Sequence, residues 1–260
     1  MINWEFSLYT FEYFLMILVR IASFVFVAPF FGMNNTPRTV KAGFSVFVAL
    51  LVYQTVLPKE TLEYAGVFEF ATIVIKEGIT GLLIGFAANI CNSIVLLSGK
   101  IIDMDIGFAM AQVFDPINNT ISGITGNIYN YFIMMLLIIT NMHHFILRAI
   151  IDTYEIIPIN GAVFEWNHLL VSMTTFVSDL MVIGFRIVLP IFACIMILNC
   201  ILGILAKVAP QLNMFSVGMQ LKVLVGLVVI FLTIGLLPHI SNFIFMEMKK
   251  MMVLFVEGMY

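Results

Sequence analysis

An all-helical, membrane-embedded chain is the fold class this sequence predicts, and three observations carry the prediction. Hydrophobic residues make up 62% of the chain, where soluble domains hold about 45–50%. Charged residues supply only 10%, against a usual ~25%. The apolar residues are also gathered into windows of about 20, the length that carries a helix across a bilayer. A soluble fold of 260 residues must still cover itself with polar groups, so it has no way to hide this much apolar surface. In lipid, backbone groups must pair within the chain, which selects helices. A soluble enzyme is excluded, and a net charge of −3 leaves no basic surface for nucleic acid.

The windows fall at 13–31, 42–57, 70–98, 128–151, 169–205 and 223–246. The residues before the first carry Glu5 and Glu12 and no basic residue, unlike the positive start of a cleavable signal peptide. The second window is short and bounded by Pro58. The third holds Lys76 and Glu77, which cost about 5–7 kcal/mol at a helix centre, while its large aliphatic and Phe residues return about 4–8. Such a helix requires protein neighbours. Gly81 and Gly85 form a GxxxG step with Gly78 a turn earlier, a face that lets another backbone approach closely.

Residues 99–127 carry Gly, Asn, Asp103, Asp105 and Asp115-Pro116, and read as a partly helical segment ending in an irregular loop. The fifth window would run about 55 Å at ~1.5 Å per residue, against a hydrocarbon core of ~30 Å. It must bend, extend or fold back, with Pro190 as the expected break. Arg20, Asp179 and Arg186 also lie within apolar windows and need partners. The loop charges conflict with a simple count of six crossings, because Lys249 and Lys250 would then end outside. Either one segment is a hairpin or ordinary bilayer topology does not apply.

Val27-Ala28-Pro29 precedes Lys41 by the same distance that separates Val208-Ala209-Pro210 from Lys222, so two similar helix–break–helix units are expected. No catalytic constellation stands out. His143 and His144 are adjacent and should diverge on a helix, and no P-loop, dinucleotide glycine pattern or nucleophile–base pair is present. Cys91, Cys194 and Cys200 read as small core hydrophobes. No cofactor, metal or catalytic residue is expected, and the chain is not read as an enzyme.

The run from Ser98-Gly99-Lys100 through Asp103-Met104-Asp105-Ile106-Gly107-Phe108 to Val113-Phe114-Asp115-Pro116 resembles the central motif of the FliR family. FliR proteins are membrane components of the bacterial flagellar type III export apparatus. Ala28-Pro29 with Pro37-Arg38 and Val40-Lys41 resembles that family's first break. Asn141-Met142-His143, Asp152-Thr153 and Pro158 resemble its middle, and Asn199, Leu202-Gly203 and Ala209-Pro210-Gln211-Leu212 its last break. The blocks stand in family order over nearly the whole chain. Asp103 departs from the pattern, since many members carry glycine there, which puts a close helix approach at that point in doubt.

The resemblance implies a single FliR-like domain over 1–260, with N-terminal helices in 1–98, the central motif and plug loop in 99–127, and C-terminal helices in 128–260. It implies one non-enzymatic subunit of a helical, multi-subunit export gate. The gate would sit in the bacterial inner membrane at the flagellar basal body, with FliP-like and FliQ-like subunits and FlhB-like and FlhA-like export proteins as partners. Exported flagellar proteins would pass through it, with membrane lipid around it. A homologous subunit of a virulence secretion system is the alternative, and a secondary transporter a further one. By similarity the loop from Gly107 to Asn127 plugs the closed pore. Phe108, Met110 and Phe114, with Asp115-Pro116, would then form the water-excluding seal, and Gly123 and Gly126 the hinges. Pro29, Pro37, Pro190 and Pro210 would be helix breaks, and Arg20, Glu77, Asp179 and Arg186 polar contacts between subunits.

Overall fold

The computed structural model describes residues 8–33, 35–55, 64, 66–108, 123–211 and 213–260, and no strand occurs among them. In chain order the helices are α1 (Leu8–Val27), α2 (Arg38–Thr55), α3 (Val67–Ala88), α4 (Ile90–Ile106), α5 (Ile124–Ile139), α6 (Met142–Ile156), α7 (Trp166–Val208), α8 (Met214–Thr233) and α9 (Leu237–Glu257). A short 3-10 turn, Ile234–Leu236, joins the last two.

Local chemistry sets most of these boundaries. α1 stops at Val27 because Ala28-Pro29 follows, and Phe30 then takes a left-handed φ of 70°. α2 begins directly after Pro37, whose missing N–H is harmless before a first turn. α7 ends at Val208, before Ala209-Pro210, and Asn213 caps α8 by accepting the Ser216 N–H. The Val-Ala-Pro repeat thus closes a helix twice, at Pro29 and at Pro210. The two repeat lysines differ in what they meet. Lys41 donates to the Gly32 carbonyl at 2.9 Å, whereas Lys222 acts on Asp105.

Among the described residues, four helical stretches are long and apolar enough to cross a membrane: Thr10–Val27, Val67–Ala88, Trp166–Val208 and Ser216–Glu257. The interrupted pair α5 and α6 counts as a fifth only if taken as one span. Four expectations need correction. α2 is not among these stretches, because Arg38 and Lys41 dilute its first turn. The window 70–98 is two helices parted at Asn89, and 128–151 is parted at Thr140-Asn141, where Asn141 has φ 58°. Pro190 does not end its helix: α7 continues through it for 43 residues, or about 65 Å. A proline removes one N–H, here the donor to the Arg186 carbonyl, and the remaining ladder carries the helix past it.

Two compact units share the chain and interleave along it. The first comprises Met1–Ile90, Asn141–Phe176 and Glu247–Tyr260. Its interior holds Met16, Ile17, Ile21 and Phe24 of α1, Ile84 of α3, Ile146 and Ile150 of α6, and Met251 and Phe255 of α9, all fully buried. Phe86 stacks on Phe176 at 4.5 Å and meets Phe255 edge-on at 6.2 Å. Main-chain bonds from Val163 to Met259 and from Glu165 to Gly258, both 3.1 Å, tie the segment before α7 to the C-terminus.

The second unit comprises Cys91–Thr140 and Val177–Met246. Ile94, Ile102 and Ile106 of α4, Ile133 and Leu137 of α5, and Ile187, Ile191 and Ile195 of α7 form its interior. The Ser98 hydroxyl donates to the Gly184 carbonyl at 3.2 Å, which fixes α4 to α7. Cys91 is buried, but Cys194 is half-buried and Cys200 exposed, so only the first is a core residue. Large side chains remain uncovered along this unit, including Phe185, Leu189 and Ile197 on α7 and Leu224, Phe231 and Leu232 on α8.

Candidate functional site

In the second unit, α4 and α5 meet where the central segment leaves and rejoins the described chain. Their backbones cross at Gly99 and Gly126, and a Cβ on Gly99 would overlap the Gly126 main chain. One turn further along α4, Asp103 takes over. Its Oδ1 accepts the Thr125 hydroxyl at 2.5 Å and the Thr125 N–H at 3.2 Å, with Oδ2 at 3.3 Å from the same N–H. Gly123, the N-cap of α5, offers no side-chain acceptor. The carboxylate of α4 therefore satisfies the start of a neighbouring helix, where an acceptor and negative charge are both favourable.

Burial is the larger influence on Asp103 and holds its carboxyl above the ordinary carboxylate range, while the Thr125 and Ile124 hydrogen bonds pull the other way. Asp105 is shifted upward by burial too, against the pull of Lys222 on α8, and its buried Oδ2 has no hydrogen-bond partner among the described residues. α4 ends at Gly107, whose φ of 97° suits glycine, and Ile106 fills the space over Gly226 of α8. The result is a clamp of three helices around the two ends of the central segment.

The expected seal divides here. Phe108 is half-buried next to Gly107, whereas Met110, Phe114, Asp115 and Pro116 lie outside the described residues. The two expected hinges have other tasks. Gly126 sits inside α5 against Gly99, and a Cβ at Gly123 would strike Asp103 Oδ2. Gly123 permits a close approach, a Cβ on Gly126 would make only an ordinary 3.5 Å contact with Gly99, and the positive φ belongs to Gly107. The approach that Asp103 put in doubt is made, because Gly123 leaves the space that the carboxylate occupies.

A second buried polar centre lies in the first unit. Arg20 Nε donates to Glu77 Oε2 at 2.6 Å and Nη2 to Oε1 at 3.1 Å, a bidentate pair with both side chains 0% exposed. Arg20 Nη1 donates to the Ile157 carbonyl at 3.0 Å, and the Asn160 N–H donates to Glu77 Oε1 at 3.0 Å. Tyr154 stacks its ring 4.3 Å from the guanidinium and donates its hydroxyl to the Ile17 carbonyl. Arg20 and Glu77 were expected at subunit contacts, and this is a correction, because each is the other's partner within one chain.

The GxxxG face also finds its partner inside the chain. A Cβ on Gly81 would overlap the Arg20 carbonyl, and one on Gly85 would lie 3.0 Å from the Phe24 carbonyl oxygen. At Gly78 it would meet only Val19 at 3.6 Å, an ordinary contact. α1 and α3 are thereby close enough for Arg20 to reach Glu77. Asp179 is half-buried, while Arg186 is exposed with its guanidinium 5.9 Å from the Phe243 ring. His143 and His144 do not diverge, since their ring centres stand 4.0 Å apart at the start of α6.

Sequence reasoning missed the role of Asp103, the Gly99 crossing and the Ile157–Asn160 contribution to the Arg20 centre. The GxxxG spacing beside Glu77 announced a close helix, but nothing in the sequence pointed to Ile157 or Asn160.

A family model described as bacterial export proteins, family 1, matches residues 11–248. The chain is 28% identical over 222 residues to the flagellar biosynthetic protein FliR of Bacillus subtilis (strain 168), covering 85% of each chain. It is 26% identical over 228 residues to that of Escherichia coli (strain K12), covering 87% of this chain and 84% of the relative. With that of Aquifex aeolicus (strain VF5) it shares 24% over 241 residues, 92% of each.

Proposed function

The chain belongs to the bacterial export proteins, family 1, and from that premise we propose that it is a FliR-type subunit of a flagellar type III export gate, supplying channel wall and plug. The relatives named above are flagellar, which favours a flagellar over a virulence system. Its partners are FliP-like and FliQ-like subunits, with FlhB-like and FlhA-like proteins alongside, and its place is the inner membrane at the basal body. Substrate choice and energy come from those other components.

One observation carries the reading. The second unit anchors both ends of the central segment through the Asp103–Thr125 bond while leaving a long apolar surface on α7 and α8 without cover from the described residues. An anchored segment suits a plug, and an apolar wall suits a subunit completed by neighbours and lipid. Phe108, Met110 and Phe114 would exclude water from a narrow pore, as hydrophobic constrictions do. Gly107, already left-handed, is the point about which the segment turns. Asp179 is the polar contact offered to a neighbouring subunit.

The structure refines the experiment. Residues 123–127 belong to α5 and its clamp, so the informative deletion is 109–122 with a short glycine-serine bridge. The shortened chain, still co-purifying with its small membrane partners, should raise ion leakage in cells. Unchanged leakage and unchanged export in an assembled mutant would remove the plug assignment.

A further inference from the structure

Two adjoining cavities of about 270 and 260 Å³ lie side by side in the second unit and share Arg186, Ile187, His239 and Ile240. Pro190 and Thr233 close one end and Phe243 the other. Together they make an apolar groove with two basic side chains, both exposed, on its rim. Among the described residues no carboxylate stands within ion-pair distance of Arg186, whose guanidinium meets only the Phe243 ring. An arginine flanked by exposed Phe185 and Leu189 is costly in lipid unless an anion reaches it.

Pro190 adds a second polar feature. It has no N–H, so the Arg186 carbonyl lacks the donor that a helix would give it four residues on. The same spot therefore offers a cationic donor and a main-chain acceptor that lacks its i+4 helical donor, beside an apolar trough.

Position along the helices selects the occupant. Arg186 stands 20 residues from the start of α7 and 22 from its end, and His239 stands 23 and 18 residues from the ends of Ser216–Glu257. Each half is about 27–35 Å long, close to one hydrocarbon thickness of ~30 Å. Whichever half crosses the bilayer, Arg186 and His239 fall at headgroup depth.

We propose that this groove binds an anionic phospholipid, with the phosphodiester on Arg186 and His239, a headgroup hydroxyl on the Arg186 carbonyl, and acyl chain along Ile187 and Ile240. The proposal goes beyond the export role and does not depend on the plug.

The test is native mass spectrometry of the full-length protein, isolated from membranes with whatever subunits accompany it. It is titrated with dioleoyl phosphatidylglycerol or dioleoyl phosphatidylcholine. The wild type should retain phosphatidylglycerol in preference, and Arg186→Gln should cut that retention about fivefold while leaving phosphatidylcholine unchanged. Arg186→Lys should keep most of it, and Ile240→Trp, which fills the trough, should reduce retention with Arg186 intact. Equal retention of the two lipids, or an Arg186→Gln protein that binds phosphatidylglycerol like the wild type, overturns the proposal. Displacement of the lipid by millimolar inorganic phosphate alone reduces the site to an anion site and also overturns it. So does loss of a protein subunit from Arg186→Gln with lipid retention intact, which would give the arginine to a partner's carboxylate.

Discussion

Replacing Glu77 by Gln tests the reasoning about the Arg20 centre most severely. The substitution keeps size and leaves an acceptor for the Asn160 N–H, but it strips the counter-charge from a guanidinium with no solvent access. Breaking a fully buried pair from one side costs about 3–5 kcal/mol, because the surviving charge stays buried. Adding Arg20→Met to the same chain removes that charge. What then remain unmatched are neutral groups, the Ile157 carbonyl and the amide N–H2 of the introduced Gln, at about 1–3 kcal/mol. The double variant should therefore be more stable than Glu77→Gln alone, by ~2 kcal/mol. Thermal unfolding of the detergent-solubilised protein, followed by circular dichroism, reads this as a partial recovery of Tm on adding the second substitution. A Glu77→Gln cost below ~1 kcal/mol, the range of solvated surface pairs, would refute the claim that the pair is sealed. So would a double variant that loses as much as the two single losses combined.

Gly81→Ala should cost about 1–3 kcal/mol, since its Cβ meets the rigid Arg20 main chain, while Gly78→Ala should be neutral or stabilising by up to ~1 kcal/mol. Unfolding of the two variants side by side checks the contrast. Gly107→Ala places a side chain at φ 97° and should lower stability by about 1–2 kcal/mol. Asp103→Ala, which orphans the Thr125 N–H, should lower it by about 1–3 kcal/mol, and Asp103→Asn by less. Because burial raises the Asp103 pKa, folding takes up a proton. Stability should rise as pH falls through that raised value and level off below ~3.9, and Asp103→Asn should flatten the slope in a pH series of unfolding curves.

What could be read from the sequence was whatever acts locally. Pro29, Pro37 and Pro210 part helices because a missing N–H acts on its own turn, whatever surrounds it. Pro190 obeys the same chemistry, yet one lost bond within 43 residues does not outweigh the rest of the ladder. Gly81 and Gly85 announced a close approach, but a four-residue spacing names a face and not the helix opposite it. The Arg20–Glu77 pair spans 57 residues, with no local trace in either window, so both charges looked as though they needed a second subunit. Asn89 divides a continuous apolar run that composition alone reads as one span. At the clamp, Asp103 was visible as an oddity, but its work is done on another helix's first turn. The same blindness turned Gly123, which makes room for Asp103, and Gly126, which lies inside α5, into hinges.

The Arg20 centre also sets a timetable for biosynthesis. At about 5–20 residues per second, Glu77 emerges from the ribosome roughly 3–11 s after Arg20, and Ile157, 137 residues later, roughly 7–27 s after it. Until Glu77 emerges, α1 carries a permanent cation without the carboxylate that pairs with it in the folded chain. The nascent helix must wait at the edge of the lipid, or in the shelter of the insertion machinery, until α3 arrives to neutralise it.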